Sequence, residues 1–184
     1  MLAASDPVYR AVQDTFGAMA GELRAYVLVG AQVGEMEATH DRAVVAAVRD
    51  PDAPWGSPAY PARTSDVFHA VLLFGPDGNL VGRVNKVFLA DEEEETLELS
   101  TGTLAGLKPL ATPFGRLGVA TGLDAFSAPL MQRLEDLDAN LVVQPQAWSG
   151  WTVLGTRDDE WVPDVFLSSG WLHTQRHRTF LHSL

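Results

Sequence analysis

Cysteine is absent from this chain of 184 residues. Its absence excludes disulfide bonds, thiolate-ligated zinc, iron–sulfur clusters and a cysteine nucleophile within this sequence. Basic residues are also scarce, since 13 Lys and Arg stand against 24 Asp and Glu and give a formal net charge of −11. A surface that follows nucleic-acid phosphates needs clustered Lys and Arg, so we expect no nucleic-acid partner.

Long apolar runs are missing as well, because no uninterrupted stretch approaches the roughly 20 residues of a membrane helix. The N-terminus lacks the basic start and apolar core of a signal peptide, so no membrane association is expected and the cytoplasm is the expected location. The content of 46% hydrophobic residues is that of a folded chain. At this length we expect a single domain over residues 1–184.

The first quarter of the chain predicts a helix followed by a buried strand. Ser5-Asp6-Pro7 is typical of a helix start, and the apolar residues that follow recur at spacings of three and four, which predicts one apolar helical face. These residues are Val8, Val12, Phe16, Met19 and Leu23. Residues 25–29 then form a short apolar, β-branched run that is typical of a strand. Four prolines within residues 50–64 predict a loop insertion.

The clearest local signal is a β-hairpin. Residues 67–74 and 80–89 are apolar runs joined by Gly75-Pro76-Asp77-Gly78-Asn79, in which proline fixes one turn dihedral and glycine permits a positive φ. An acidic run, residues 91–95, follows Lys86 and predicts a solvated loop or helix end. Only Lys86 and Lys108 of the 13 basic residues are lysine, a pattern that favours a compact ammonium at these two positions.

A βαβ unit is predicted further along the chain. Residues 116–121 are typical of a buried strand, Ser127 and Pro129 are typical of a helix start, and residues 140–144 are typical of another strand. Parallel strands joined in this way place ligand sites beyond their carboxyl ends. We therefore expect residues 122–126 and residues 146–148 at the mouth of any site.

The last forty residues carry weaker signals. His173 and His177 lie four residues apart, a spacing that suits two metal ligands on one helix face. No motif glutamate accompanies them, so we expect no metal site here, and no phosphate-binding or dinucleotide-binding glycine motif suggests a cofactor.

Taken together, these segments resemble the nitrilase superfamily, the carbon–nitrogen hydrolases. Residues 74–89 resemble that family's hairpin, which leads through Pro-Asp-Gly to a catalytic lysine, and residues 112–124 resemble the segment that carries its nucleophilic cysteine. The resemblance covers about residues 20–150 and implies the α/β nitrilase-like α-β-β-α sandwich, here incomplete at both ends. An incomplete sandwich offers open sheet edges, so we expect a homo-oligomer or a partner that completes the sheet.

The resemblance also implies roles for individual residues. Lys86 falls on the oxyanion-stabilising lysine, and Glu94 is the candidate for the supporting glutamate of the acidic run. Gly122 stands where the family has its cysteine. Asp124 keeps the place of the aspartate that follows the family's cysteine. We expect Asp124 to bind substrate, together with Gln146 and Trp148 at the expected mouth of the site.

These assignments predict a homologue without the ordinary reaction path. The cysteine is replaced by Gly122, and the general-base glutamate of the family is expected upstream of the helix that starts near Pro7. We therefore expect a non-catalytic homologue that binds a small amide or nitrile. One alternative is an active amidase, nitrilase or acyltransferase with an unconventional nucleophile, although Thr121 and Ser127 are poor candidates. Another is an acidic α/β module in which residues 92–95 hold a cation.

Overall fold

A computed structural model describes residues 5–145 of the chain. These residues belong to two compact units. The first contains the residues up to Asn85 together with Asp91–Thr101, and the second contains Lys86–Ala90 together with the residues from Gly102 onward. The single domain expected over residues 1–184 stays a prediction.

The first unit is a three-stranded antiparallel sheet with helices. Its elements, in chain order, are α1 (Ser5–Leu23), β1 (Val27–Val33), α2 (Arg42–Val48), β2 (Phe68–Phe74), β3 (Leu80–Asn85) and a π-helical turn (Glu92–Thr96). The strand order is β1-β2-β3. The predicted hairpin is confirmed, since β2 pairs with β3 and Gly78 takes a φ of +79° in the turn. The second strand ends at Asn85, however, and not at Leu89.

Helix α1 packs on this sheet through a narrower face than the sequence predicts. Val12 and Phe16 lie against the cluster formed by Ala20, Leu72 and Phe74. The other members of the predicted apolar face, Val8, Met19 and Leu23, are 49%, 42% and 66% exposed. The physical reason is a close backbone approach, because a Cβ added at Gly17 would lie only 2.6 Å from the carbonyl oxygen of Gly78. Small residues therefore carry the centre of the contact, and a pattern of large apolar residues misses it.

Residues 50–64 form a long connection without a helix or a strand. Isolated antiparallel bridges join Ala59 to Thr39 and Ala62 to Met36. Just before the connection lies α2, a helix that the sequence pattern does not predict. Its N-cap is Asp41, whose side chain accepts hydrogen bonds from the backbone N–H groups of Ala43 and Val44.

The second unit contains the predicted βαβ arrangement. Its elements, in chain order, are β4 (Leu110–Thr112), β5 (Gly115–Val119), a 3-10 turn (Gly122–Phe126), α3 (Ala128–Asp136) and β6 (Leu141–Val143). Strands β5 and β6 are parallel, as predicted, and β4 is an additional antiparallel strand paired with β5. Buried Leu130, Met131 and Leu134 form the inner face of α3. The βαβ prediction is confirmed.

Candidate active site

Lys86 directly follows the last residue of β3 and belongs to the second unit. It is only 6% exposed, and its carbonyl oxygen accepts a hydrogen bond of 2.7 Å from the N–H of Gly102. Lysine is rarely buried unless a local interaction compensates for the desolvation of its ammonium. The sequence-predicted oxyanion lysine is therefore held in the interior of this unit.

Gly122 starts the 3-10 turn that follows β5, and its conformation suits glycine. Its φ is +56°, in the left-handed region that residues with a Cβ rarely adopt. A Cβ added at this position would lie 2.8 Å from Nζ and 3.2 Å from Cε of Lys86. The lysine side chain thus borders the point from which a nucleophilic side chain at residue 122 would start.

Asp124 connects this turn to the segment that carries Lys86. Its carboxylate is 2% exposed and accepts hydrogen bonds from the backbone N–H groups of Phe88, at 2.8 Å, and Val87, at 3.1 Å. Burial raises the pKa of Asp124, and these hydrogen bonds and the positive charge of Lys86 oppose the rise without cancelling it. Lys86, Gly122 and Asp124 are therefore brought together within one unit, as the resemblance implies.

Two residues with hydroxyl groups, Thr121 and Ser127, flank this turn. Ser127 is the N-cap of α3, and its Oγ accepts a hydrogen bond of 3.3 Å from the N–H of Leu130. Thr121 is 8% exposed, and its carbonyl oxygen accepts a hydrogen bond from the N–H of Asp124. The interpretation of Ser127 as a helix cap is confirmed.

The other residues predicted for the site are Glu94, Gln146 and Trp148. Glu94 is exposed on the π-helical turn of the first unit, where Glu93 is the less exposed neighbour. Gln146 and Trp148 lie outside the described residues, as do His173 and His177. The assignment of Glu94 to the site and the substrate-binding role of Asp124 stay predictions.

Two side-chain pairs of the first unit were not predicted from the sequence. Nδ1 of His69 lies 3.1 Å from Oε1 of Glu93, so this histidine on β2 holds the acidic turn. Asp6 on α1 is completely buried and accepts hydrogen bonds from Arg10 and from two backbone N–H groups of residues 50–60. The sequence does carry a signal for each pair. His69 lies in an otherwise apolar strand, and Asp6 and Arg10 have the (i, i+4) spacing of an ion pair on a helix.

Metal-binding clusters and membrane helices are both absent from the described part of the chain. Residues 5–145 contain no group of three His, Asp or Glu side chains placed to hold a metal ion, and the acidic run is included in that statement. No helix within the same residues has the length and the apolar character required to cross a membrane.

No protein-family model and no curated protein sequence matches this chain. Solved structures do match it by fold. The carbon–nitrogen hydrolase from Helicobacter pylori aligns with a TM-score of 0.54 and 15% identity over 77% of this chain and 39% of its own. A variant of the amidase from Nesterenkonia sp. AN1, with the acetamide moiety of fluoroacetamide added covalently at its active-site cysteine, aligns with a TM-score of 0.55 and 16% identity over 83% and 48%.

A third match is Saccharomyces cerevisiae Nit3, a member of branch 10 of the nitrilase superfamily, with a TM-score of 0.51 and 20% identity over 78% of this chain and 42% of its own. The chain therefore spans less than half the length of these structures. At such identities the likeness concerns the fold alone. The fold is that of the nitrilase superfamily, in the part of it that this chain covers, and the fold prediction is confirmed.

Proposed function

We propose that this chain is a non-catalytic homologue of the carbon–nitrogen hydrolases. The observation that carries the proposal is the glycine at residue 122. Its φ of +56° and the 2.8 Å between its ideal Cβ position and Nζ of Lys86 leave no room for a side chain unless the lysine moves. The absence of cysteine from all 184 residues removes any substitute thiol in this sequence.

The chemistry explains why this replacement matters. Covalent hydrolysis of an amide or nitrile needs a nucleophile that attacks carbon and a donor that stabilises the resulting negative charge. Lys86 retains the second function, and nothing at residue 122 supplies the first. In an unrelated hydrolase, loss of the nucleophile lowers the rate on the order of a millionfold. What the unit retains is a buried lysine and a buried aspartate, and the proposed role of these two residues is to bind a small polar amide or nitrile.

The direct test is an assay of ammonia release from acetamide, simple nitriles and carbamoyl compounds. The wild-type protein is compared with Lys86→Ala, and a structurally similar amidase serves as the positive control. We expect the wild type and Lys86→Ala to be equally inactive. Turnover by the wild type above that of Lys86→Ala would overturn the proposal and support an active hydrolase with an unconventional nucleophile.

A second test restores the thiol. In Gly122→Cys the new side chain is the only cysteine, so fluoroacetamide labelling can be assigned by intact mass without mapping. We expect slow labelling, because Lys86 must move from the Cβ position, and no hydrolytic turnover. Turnover by Gly122→Cys would show that the site lacks only the thiol and has kept every other catalytic group.

Ligand binding is tested separately from turnover. Isothermal titration of the wild type with acetamide and acetonitrile, with Lys86→Ala as the matched variant, measures whether the retained ammonium contributes to affinity. We expect binding that is lost in Lys86→Ala. Equal heats for both proteins would contradict a ligand role for Lys86.

A further inference from the structure

The connection of residues 50–64 presents an exposed tryptophan. Trp55 is 95% exposed, and it precedes Gly56, whose φ is +81°. The guanidinium carbon of Arg49 lies 5.7 Å from the centre of the Trp55 ring, which is within cation–π distance. Tryptophan and arginine are, with tyrosine, the residue types enriched among the side chains that dominate binding energy in protein interfaces.

The base of this connection is fixed. The buried carboxylate of Asp6 accepts hydrogen bonds from the N–H of Asp50, at 2.6 Å, and the N–H of Tyr60, at 2.7 Å. Arg10 donates to Asp6 and to the carbonyl oxygen of Pro58, and its guanidinium lies 5.1 Å from the centre of the Tyr60 ring. One carboxylate thus joins both ends of the loop that carries Trp55. A loop held in this way loses little conformational entropy on binding.

A mostly apolar hollow lies in the same unit. The centres of water molecules can occupy about 120 Å³ of this hollow. A site for a single water needs roughly 10–15 Å³ of such space, so the hollow is much larger than one water. Its wall includes Val8, Val33, Met36 and Ala62, with the exposed Asp66 among the lining residues. The hollow adjoins the loop, because its lining residue Ser5 donates a hydrogen bond to the carbonyl oxygen of Tyr60.

We propose that Trp55 of one copy of this chain occupies the hollow of a second copy, and that the second copy does the same in return. An exposed aromatic anchor and an apolar hollow within one unit are the two halves of a two-fold contact, in which each copy supplies both halves. The charges agree with this pairing. Arg49 accompanies Trp55, and Asp66 lines the hollow that receives it.

The contact is small, which sets its expected strength. A buried tryptophan contributes roughly 150–250 Å², so two tryptophans and the walls they cover fall near the lower limit of specific interfaces, below about 1,200 Å² in total. Each copy also carries a net charge of −11, and the two copies repel each other. We therefore expect a weak, reversible dimer that forms at high protein concentration.

The first experiment is a mixed cross-linking test, which the absence of native cysteine makes specific. Pro54→Cys beside Trp55 and Ser65→Cys on the hollow are made as separate single-cysteine proteins, mixed, and treated with a short thiol-to-thiol cross-linker. We expect a Pro54→Cys to Ser65→Cys heterodimer well above the level given by Pro54→Cys with Val81→Cys, a matched exposed position in the same unit. Equal yields from the two mixtures would overturn the proposal.

The second experiment is sedimentation equilibrium over a wide range of concentration. Trp55→Ala removes an exposed side chain without disturbing a buried contact, and we expect it to weaken dimerisation at least about tenfold. A wild type that stays monomeric throughout, or a dimer that Trp55→Ala leaves unchanged, would each overturn the proposal. The second outcome would assign self-association to another surface.

A charge exchange tests the pairing of the two halves. Arg49→Glu and Asp66→Arg should each weaken self-association, since both charge contacts of the symmetric dimer become repulsive. Their mixture should form a heterodimer at about wild-type strength, because both contacts are again between opposite charges. Mixtures no stronger than either single variant would contradict the proposed pairing of Arg49 with Asp66.

Discussion

Asp6 in the first unit and Asp124 in the second unit are both buried carboxylates, and their pKa values shift in opposite directions. Burial acts to raise the pKa of Asp6, but two backbone N–H groups and Arg10 outweigh it, and the pKa of this carboxyl falls below its ordinary value of 3.8. Burial raises the pKa of Asp124 more than its backbone hydrogen bonds and Lys86 lower it. The ionised form is favoured at one site and disfavoured at the other.

The difference separates a structural carboxylate from one retained in a candidate site. Asp6 joins a helix to both ends of a loop, and each of its hydrogen bonds stabilises the charged form. Asp124 accepts hydrogen bonds from the backbone N–H groups of Val87, Phe88 and Thr121, in the unit that also holds the buried Lys86. These interactions lower the pKa of Asp124 by less than burial raises it. Groups whose environment disfavours their charged form concentrate at functional sites, and Asp124 fits that pattern.

The largest effect is expected from Asp6→Asn. The change leaves the guanidinium of Arg10, a residue only 9% exposed, without its charged partner and turns an amide NH₂ toward backbone donors. Loss of one member of a buried ion pair destabilises by roughly 3–5 kcal/mol. Urea denaturation followed by circular dichroism measures the loss. Asp14→Asn, an exposed carboxylate on the same helix, is the control and should unfold like the wild type.

Gly122→Ala should have the next largest effect. The added Cβ would lie on a residue with a positive φ and would displace Lys86, so we expect the free energy of unfolding to fall by about 2–3 kcal/mol. Gly56→Ala is the matched control, since its φ is +81° and no atom lies within 4 Å of the added Cβ, so it measures backbone strain alone at about 1 kcal/mol. The same unfolding measurement compares them. Equal losses in the two variants would show that Lys86 moves aside freely.

Asp124→Asn should destabilise less than either change. The amide oxygen can still accept the hydrogen bond of Phe88, and the neutral side chain avoids the desolvation of a carboxylate, so we expect a loss of about 1 kcal/mol at neutral pH. Asp136→Asn, at an exposed position of α3, is the control in the same unit. A loss as large as that of Asp6→Asn would contradict the contrast between the two carboxylates.

The parts of the fold that could be predicted from the sequence are those that local chemistry determines. Pro76 and Gly78 fix the hairpin turn, and Ser127 caps α3 in the second unit. The missed contacts join residues far apart in the chain. Asp6 accepts from backbone groups 44 and 54 residues away, and Asp124 from groups 36 and 37 residues away. Such pairs leave no periodic pattern in the sequence. The family resemblance indicated that Asp124 belongs to the site but did not indicate its hydrogen-bond partners.

The pH dependence of stability is the smallest expected effect, and it is the most specific test of the contrast between Asp6 and Asp124. The folded-state pKa of Asp6 is lowered. The ionised carboxylate therefore stabilises the fold above pH 3.8, the ordinary pKa, and this stabilisation is lost as the pH falls through the lowered pKa. For Asp124 the folded-state pKa is raised. The protonated carboxyl therefore makes its full contribution to stability below pH 3.8, and this contribution is lost as the pH rises through the raised pKa. A pKa that differs by one between the folded and unfolded states changes the stability by about 1.4 kcal/mol.

The measurement is the urea midpoint of the wild type, Asp6→Asn and Asp124→Asn from about pH 3 to about pH 7. The stability advantage of the wild type over Asp6→Asn should shrink toward acid, because protonation removes the charge that the loop N–H groups and Arg10 bind. Its advantage over Asp124→Asn should shrink toward neutral pH, because ionisation of a carboxyl that lies almost wholly out of water destabilises the folded state. If both advantages shrink in the same direction, the two carboxylates have similar environments and the distinction between a structural group and a site group is wrong.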